Sequence, residues 1–363
     1  MTDIAALARR RLWNQHVTRT ELSRPADVVR RLGAVQAQEF DPAKWGLALR
    51  MRDGVGDADL ERAFANGEML RTHVMRPTWH FVAPDDIRWL LELTAPRVHQ
   101  LVAPYRRRFE LDQRMLVRGT RLMERALRDG QHLTRIELGA HLSRARMAFD
   151  GFRLGLVCMF AELEGVICSG PRRGRRFTYA LVAERAPAAK RLPAEEALAT
   201  LARRYFTSHG PATVRDFVWW SGLTTADAKR GLEMNGARAE HVEGRTYWTI
   251  GDEPSRRVRL RGVHLLPIYD EYVVAYRDRD VVPHGPSLVT EGSGNPVNFR
   301  HSLVIDGQVS GTWRTARRSN SVHIELVTFR KLNQVERAGL GNAVQRFERF
   351  LGVSTTVTSS SGC

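Results

Sequence analysis

The chain has 363 residues, a hydrophobic fraction of 43% and a charged fraction of 26%, a globular composition with room for two to four small domains. No apolar run approaches the roughly 20 residues that span a bilayer, and no signal-peptide pattern opens the chain. Three cysteines without a CxxC pair indicate neither a zinc module nor a disulfide framework, so a reducing cytoplasm is the expected setting. The formal charge of +16 favours a polyanion through counterion release and steering, which makes nucleic acid the expected partner. The shortage of lysine, four against 52 arginines, is read mainly as the mark of a GC-rich genome. That bias does not explain the excess of basic residues over 40 acidic ones.

Three stretches share one order of short helices followed by two strands. In the first, a helix over residues 24–32 is opened by Ser23 as N-cap. A second helix follows Asp41-Pro42, with Trp45, Leu47 and Leu49 apolar, and a third follows Gly56-Asp57. Residues 69–75 and 78–82 then read as strands about Arg76-Pro77. The second stretch opens at Leu133, with Thr134 and Glu137 spaced as a capping box. The apolar helix of residues 154–163 follows, and then strands at 166–168 and 177–180 flank a basic turn. The third runs through helices at 193–208, 214–221 and 225–234 to strands at 239–242 and 247–250. This is the layout of a winged helix, whose recognition helix can enter a major groove while the wing lies along the phosphates.

Past Gly251 the texture changes. Residues 257–261, 264–267, 287–290, 301–305, 308–314 and 322–329 look extended, which indicates a small sheet or barrel. A final helix covers about 332–350. The expected fold is therefore α+β, with units at 1–115, 116–190 and 191–252, a C-terminal β-region at 253–352 and a disordered Ser/Thr-rich tail at 353–363.

Few residues carry chemistry. If residues 35–40 are extended, Gln36 and Gln38 share a side, where two amides can position a water, hold a sugar or bridge to a phosphate. The simpler reading of the residues alone is that glutamines in an inter-helix connection bond nearby backbone and do nothing else. The first hairpin concentrates Arg71, His73, Arg76, Trp79 and His80, which can touch phosphates and pack beside a disturbed base, and no third ligand at metal spacing accompanies the histidines. Arg172, Arg173, Arg175 and Arg176 form one basic turn, and Arg314, Arg317 and Arg318 flank a second basic tip; either can be a solvated turn or a phosphate contact. Asp270 and Glu271 are adjacent and would point oppositely in a strand, which favours structural roles. No P-loop, nucleophile elbow or dinucleotide fingerprint occurs in a fitting context.

Taken in order, Val35-Gln36-Ala37-Gln38, residues 71–80 (RTHVMRPTWH), residues 161–171 (AELEGVICSGP), residues 265–272 (LLPIYDEY) and Gly311-Thr312-Trp313-Arg314 resemble the AlkZ/YcaQ family of winged-helix DNA glycosylases across nearly the whole chain. The resemblance implies three tandem winged-helix units and a small C-terminal β-barrel forming a C-shaped, basic concave DNA channel. It also implies that Gln36 and Gln38 are catalytic, in the double-glutamine form; the other branch carries a carboxylate where Gln38 stands. Amides suit alkylated purines, whose positive charge makes them good leaving groups, because the enzyme then mainly holds a water and steadies a sugar cation. No amine nucleophile is marked, so a monofunctional enzyme is expected. Its substrate would be double-stranded DNA bearing alkylated purines, bulky or cross-linked adducts included, in repair or in self-resistance to an alkylating natural product. No cofactor, metal or membrane is expected, and the chain is read as a monomer near the nucleoid. The open channel implies recognition without full base flipping. Arg71 and Arg76, then Arg314, Arg317 and Arg318, with residues 172–176, are the expected DNA contacts. The rival reading is a non-catalytic winged-helix regulator, and a weaker one is a DNA-compacting protein.

Overall fold

The structure, a computed structural model, describes residues 3–251, 262–278, 281–282, 300–317 and 321–361. The expected extended segments at 257–261 and 287–290, and Arg318, lie outside the described residues.

The chain opens with helix α1 (Ile4–Asn14), followed by α2 (Pro25–Leu32), strand β1 (Val35–Gln36), α3 (Phe40–Ala48), α4 (Asp57–Ala65) and the hairpin β2 (Leu70–Val74) and β3 (Arg76–Val82). The N-cap of α2 is Arg24, and Pro25 in the first turn sets the start by its fixed φ, so Ser23 is not the cap. The hairpin reverses at Met75, φ 62°, which places Arg76 and Pro77 on the strand rather than in the turn. Helix α5 (Ile87–Arg108) follows, a 22-residue element that Pro96 and Pro104 conceal from a reading by propensity.

The second stretch holds α6 (Gln113–Ala126), β4 (Leu133–Thr134), α7 (Arg135–Arg144), α8 (Gly151–Leu163), β5 (Ile167–Arg173), β6 (Arg176–Leu181) and α9 (Val182–Arg185). Thr134 and Glu137 form the expected capping box on α7. The third stretch holds α10 (Ala194–Ser208), α11 (Val214–Ser221), α12 (Thr225–Met234) and the hairpin β7 (Arg238–Val242) and β8 (Arg245–Thr249). The internal repeat is closer than the sequence indicated. Sheet order is β1-β3-β2 in the first stretch and β4-β6-β5 in the second, and in the third a single bridge, Ala212 to Trp248, stands where the short strand would be.

The C-terminal region contains β9 (Val263–Leu266), α13 (Glu271–Val274), β10 (His301–Ile305), β11 (Gln308–Arg317), β12 (Ser321–Thr328), α14 (Gln334–Leu351) and β13 (Ser354–Ser361). Among the described residues its strands form an open sheet, β13-β12-β11-β10-β9, and not the expected barrel. Most of the Ser/Thr-rich tail is a strand instead, β13 pairing in parallel with β12 from Ser354–Ser321 to Ser361–Thr328. Its polarity mimics a disordered tail, yet threonine and valine suit a strand, and pairing satisfies the backbone edge of β12.

Cores do not follow the unit boundaries. One cluster joins the first stretch to the C-terminal sheet, with the Trp45 indole N–H donating to the Leu265 carbonyl at 2.7 Å and its ring against Phe347 and Phe350. A second packs the β2–β3 hairpin and α5 on the third stretch through Leu70, Trp89, Tyr205 and Trp220, and a third lies within the second stretch. The first two meet at a buried ion pair. Arg50 donates to both Asp270 oxygens at 2.8 Å, and also to the Gly46 carbonyl and Gln15 Oε1. Both side chains are 1% exposed, so removing one partner strands a charge that water cannot reach. Asp270→Ala is expected to lower the unfolding free energy by about 3–5 kcal/mol in denaturant titration. A loss under about 1 kcal/mol contradicts this account.

Candidate active site

In each repeat the short strand, or in the third the Ala212–Trp248 bridge that stands in its place, comes just before a helix. In the second repeat that helix is capped by Thr134 with Glu137, and in the third by Thr213 with Asp216, each side-chain oxygen accepting an orphan N–H. The first repeat departs from this. Its α3 is preceded by Gln36-Ala37-Gln38, and the N-cap residue, Glu39, makes no side-chain cap. A repeated device is therefore withheld at one place, and the two glutamines occupy it.

Each glutamine is held by identifiable partners. The Gln36 N–H donates to Glu271 Oε1 at 2.7 Å, and Gln36 Oε1 accepts from Arg76 Nη2 at 3.0 Å. Because a guanidinium only donates, this bond fixes which end of the Gln36 amide faces Arg76. Gln38 Oε1 accepts from the Trp79 N–H at 3.4 Å, a long bond, and the Ala37 carbonyl between them accepts from Arg71 Nε at 2.9 Å. Gln36 is buried and Gln38 half-buried, with neither amide nitrogen engaged by the described residues. Extended geometry ends at Gln36, so the strand alternation expected over residues 35–40 does not apply.

Asp270 and Glu271 do point apart, as the sequence indicates, but from the start of a helix rather than from a strand. Asp270 caps α13, and the turn sends its carboxylate to Arg50 while Glu271 reaches the site. Glu271 Oε2 accepts from the Trp220 indole at 2.9 Å and lies 3.4 Å from His209 Nε2. Burial opposes its charge, but His209 and the Gln36 N–H together hold its carboxyl below the usual range. It is an ionised, dehydrated carboxylate one hydrogen bond behind Gln36.

Sheet register separates the remaining hairpin residues. Gln36, His80 and Thr72 form one cross-strand row, so they share a face. His80 Nδ1 lies 2.9 Å from the Thr78 carbonyl, which can only accept, so this nitrogen carries the proton. His80 Nε2 and Thr72 Oγ1 are buried with no hydrogen-bond partner among the described residues. His73 and Trp79 face the other way, onto Glu162 of α8: His73 Nδ1 is 2.5 Å from Oε2, and the Trp79 indole donates to Oε1 at 3.3 Å. Arg71 is buried there between Trp79 and Phe177, 4.5 Å from each ring, and burial pulls it down to about 10. Glu162 escaped the sequence reading, although a carboxylate inside the apolar run of α8 signals an internal partner.

A family model described as "DNA glycosylase AlkZ-like" matches residues 29–350. The chain belongs to this family of DNA glycosylases. An interstrand DNA cross-link repair glycosylase of Streptomyces sahachiroi is 29% identical to it over 308 residues, 79% of this chain and 81% of the relative. The solved structure of Streptomyces sahachiroi DNA glycosylase AlkZ matches with a TM-score of 0.82 at 24% identity, covering 99% of this chain and all of that one. The chain is thus an enzyme acting on DNA, not a non-catalytic regulator.

In this glycosylase the basic residues marked by sequence fall into two groups. Arg172 is bound to Glu61 at 2.7 Å and lies over Phe40, and Arg173 pairs with Glu137. Arg314 pairs with Glu325 across the β11–β12 ladder. Arg175, Arg176 and Arg317 are exposed, and their side chains form no hydrogen bond or ion pair with any described residue.

The buried His80 gives the site an acid signature. Burial first, then Arg76, lowers its pKa to about 3 from an unfolded value near 6.5, so below about pH 6.5 the unfolded chain takes up a proton that the folded one refuses. Stability is thereby lost as pH falls from 6.5 towards 3, by up to about 1.4 kcal/mol per unit from this residue. His80→Gln is expected to flatten the pH dependence of unfolding between pH 6 and 4, whereas curves parallel to the wild type contradict the assignment.

Proposed function

We propose that this glycosylase hydrolyses the N-glycosidic bond of alkylated, cationic purines at Gln36 and Gln38. The observation that carries the reading is the withheld cap before α3, filled by two glutamines that Glu271, Arg76, Arg71 and Trp79 hold in place. Departures from a locally optimal pattern concentrate where function requires them. The three repeats act as winged helices whose hairpins lie along the phosphates of a concave DNA-binding face, with Arg175, Arg176 and Arg317 free to contact them.

A purine alkylated on its imidazole ring carries a positive charge, so the glycosidic bond breaks with its electron pair moving onto the base. An oxocarbenium-like sugar remains, to which water adds at the anomeric carbon and then loses a proton. Gln38, half-exposed and only loosely bound to Trp79, presents its second oxygen lone pair to that water. Gln36, locked by Arg76, steadies Gln38 and the sugar from behind. Glu271 holds the Gln36 N–H and supplies a buried negative charge one hydrogen bond behind Gln36. No step uses a covalent enzyme intermediate, which makes the activity monofunctional. Bulky and cross-linked adducts belong within its range, in keeping with the cross-link repair named for the relative, whether the setting is base excision repair or self-resistance.

The test is alkali-induced scission of duplex DNA holding a ring-alkylated guanine or a bulky adduct. Gln36→Ala and Gln38→Ala are each expected to slow base release by about 100-fold or more. Glu271→Gln, which keeps an acceptor but loses the charge, is expected to slow it by about ten- to a hundredfold. Tight binding without base release over the whole panel, or full activity in both glutamine variants, contradicts the reading.

A further inference from the structure

A cleft of about 300 Å³ lies between the start of α3, the β5–β6 hairpin and the C-terminal sheet with α14. Its wall includes Asp41, three residues from Gln38 and thus within about 11 Å of chain. The chemistry proposed above does not use it.

The floor is aromatic. Trp313 packs 5.2 Å from Phe347, and Trp45 packs 4.9 Å from the same ring. Both indole N–H groups are spent on backbone carbonyls, Trp45 on Leu265 and Trp313 on Leu266, so the floor offers carbon surface. His301, its ring tilted by 49° and centred 4.5 Å from that of Trp313, supplies a polar edge: its Nδ1 accepts the Ile268 N–H at 3.1 Å, which leaves Nε2–H as a donor of fixed direction. At the mouth, Arg175 and Arg317 are exposed and unpaired with any described residue. Asp41, Asp57 and Glu61 face Lys44 and Arg172, three carboxylates against two cations, so this edge of the cleft keeps one negative charge. Arg175 and Arg317 outweigh that charge, so the cleft is positive at its rim, above an apolar floor in which Trp313 and Phe347 meet edge to face at 73°.

We propose that this cleft receives one unpaired nucleotide of the DNA under repair, its base against the Trp313–Phe347 floor and its phosphate between Arg175 and Arg317. Aromatic floors accept any base, because every base has a π-face, and guanidinium pairs suit phosphate. The inference rests on the reading that DNA is engaged at Gln38. A base housed there offsets part of the cost of unpairing next to a lesion.

The test uses the full chain and a duplex carrying one unpaired 2-aminopurine, with a fully paired duplex and free adenosine monophosphate as comparators. The unpaired probe is expected to bind about tenfold tighter than the paired duplex, with its emission quenched. Thr315 is exposed on the strand that lines the cleft, so Thr315→Trp fills the space without touching the core. This variant is expected to abolish both the preference and the quenching while binding paired duplex within about twofold. Equal affinity for paired and unpaired probes, or a preference that survives Thr315→Trp, overturns the inference alone. Free adenosine monophosphate binding as tightly as the unpaired probe also overturns it, in favour of a free-nucleotide site. Failure to bind any duplex overturns the DNA reading beneath it.

Discussion

Two adjacent carboxylates, Asp270 and Glu271, organise the molecule around its site. A tight four-residue helix turns them apart, one onto Arg50 and the other onto the Gln36 N–H. Burying two acids is unfavourable unless every oxygen finds a partner, and here each does: guanidinium and backbone N–H for Asp270, backbone and indole N–H for Glu271. The pair therefore links the core shared by the first repeat and the C-terminal sheet to the core shared with the third repeat. Gln36 is held at that junction.

The same architecture is used three times, but only one copy lacks the side-chain cap on the helix after its short strand. Helices after the short strand are capped by Thr134 and Thr213 in the later repeats. In the first repeat the cap is absent, and the partners of the glutamines come from the hairpin and from the C-terminal region instead. Tertiary contacts thus hold the chain at the one of the three positions that lacks a local cap, the position to which the proposed chemistry is assigned.

Much of this was legible in the sequence, and the exceptions have physical causes. Thr134 with Glu137 is a local signal, so the cap on α7 was readable from spacing alone. Helix α5 was hidden by Pro96 and Pro104, whose cost is overridden by burial of Trp89, Leu90 and Val98 against neighbouring elements. Strand β13 was hidden by its polarity, since nothing in a Ser/Thr run announces a partner strand some 30 residues earlier. At the site, Gln36 and Gln38 were visible as a motif, and their family as a resemblance. Their geometry was not, because Glu271 lies 235 residues away and only the fold brings it to Gln36. Arg71 marks the opposite limit: an arginine in a basic hairpin reads as a phosphate contact, yet it is buried between two rings and holds the Ala37 carbonyl.

The central claim is that the Gln36–Gln38 segment stabilises a developing sugar cation. Binding of a transition-state mimic tests it without dependence on substrate choice. Duplex carrying a cationic azasugar at the lesion position should bind at least about 100-fold tighter than duplex carrying a neutral tetrahydrofuran there, and the gap should collapse when both glutamines are replaced by alanine. Equal affinity for the two duplexes, or a gap that persists in the double variant, would place the chemistry elsewhere in the molecule.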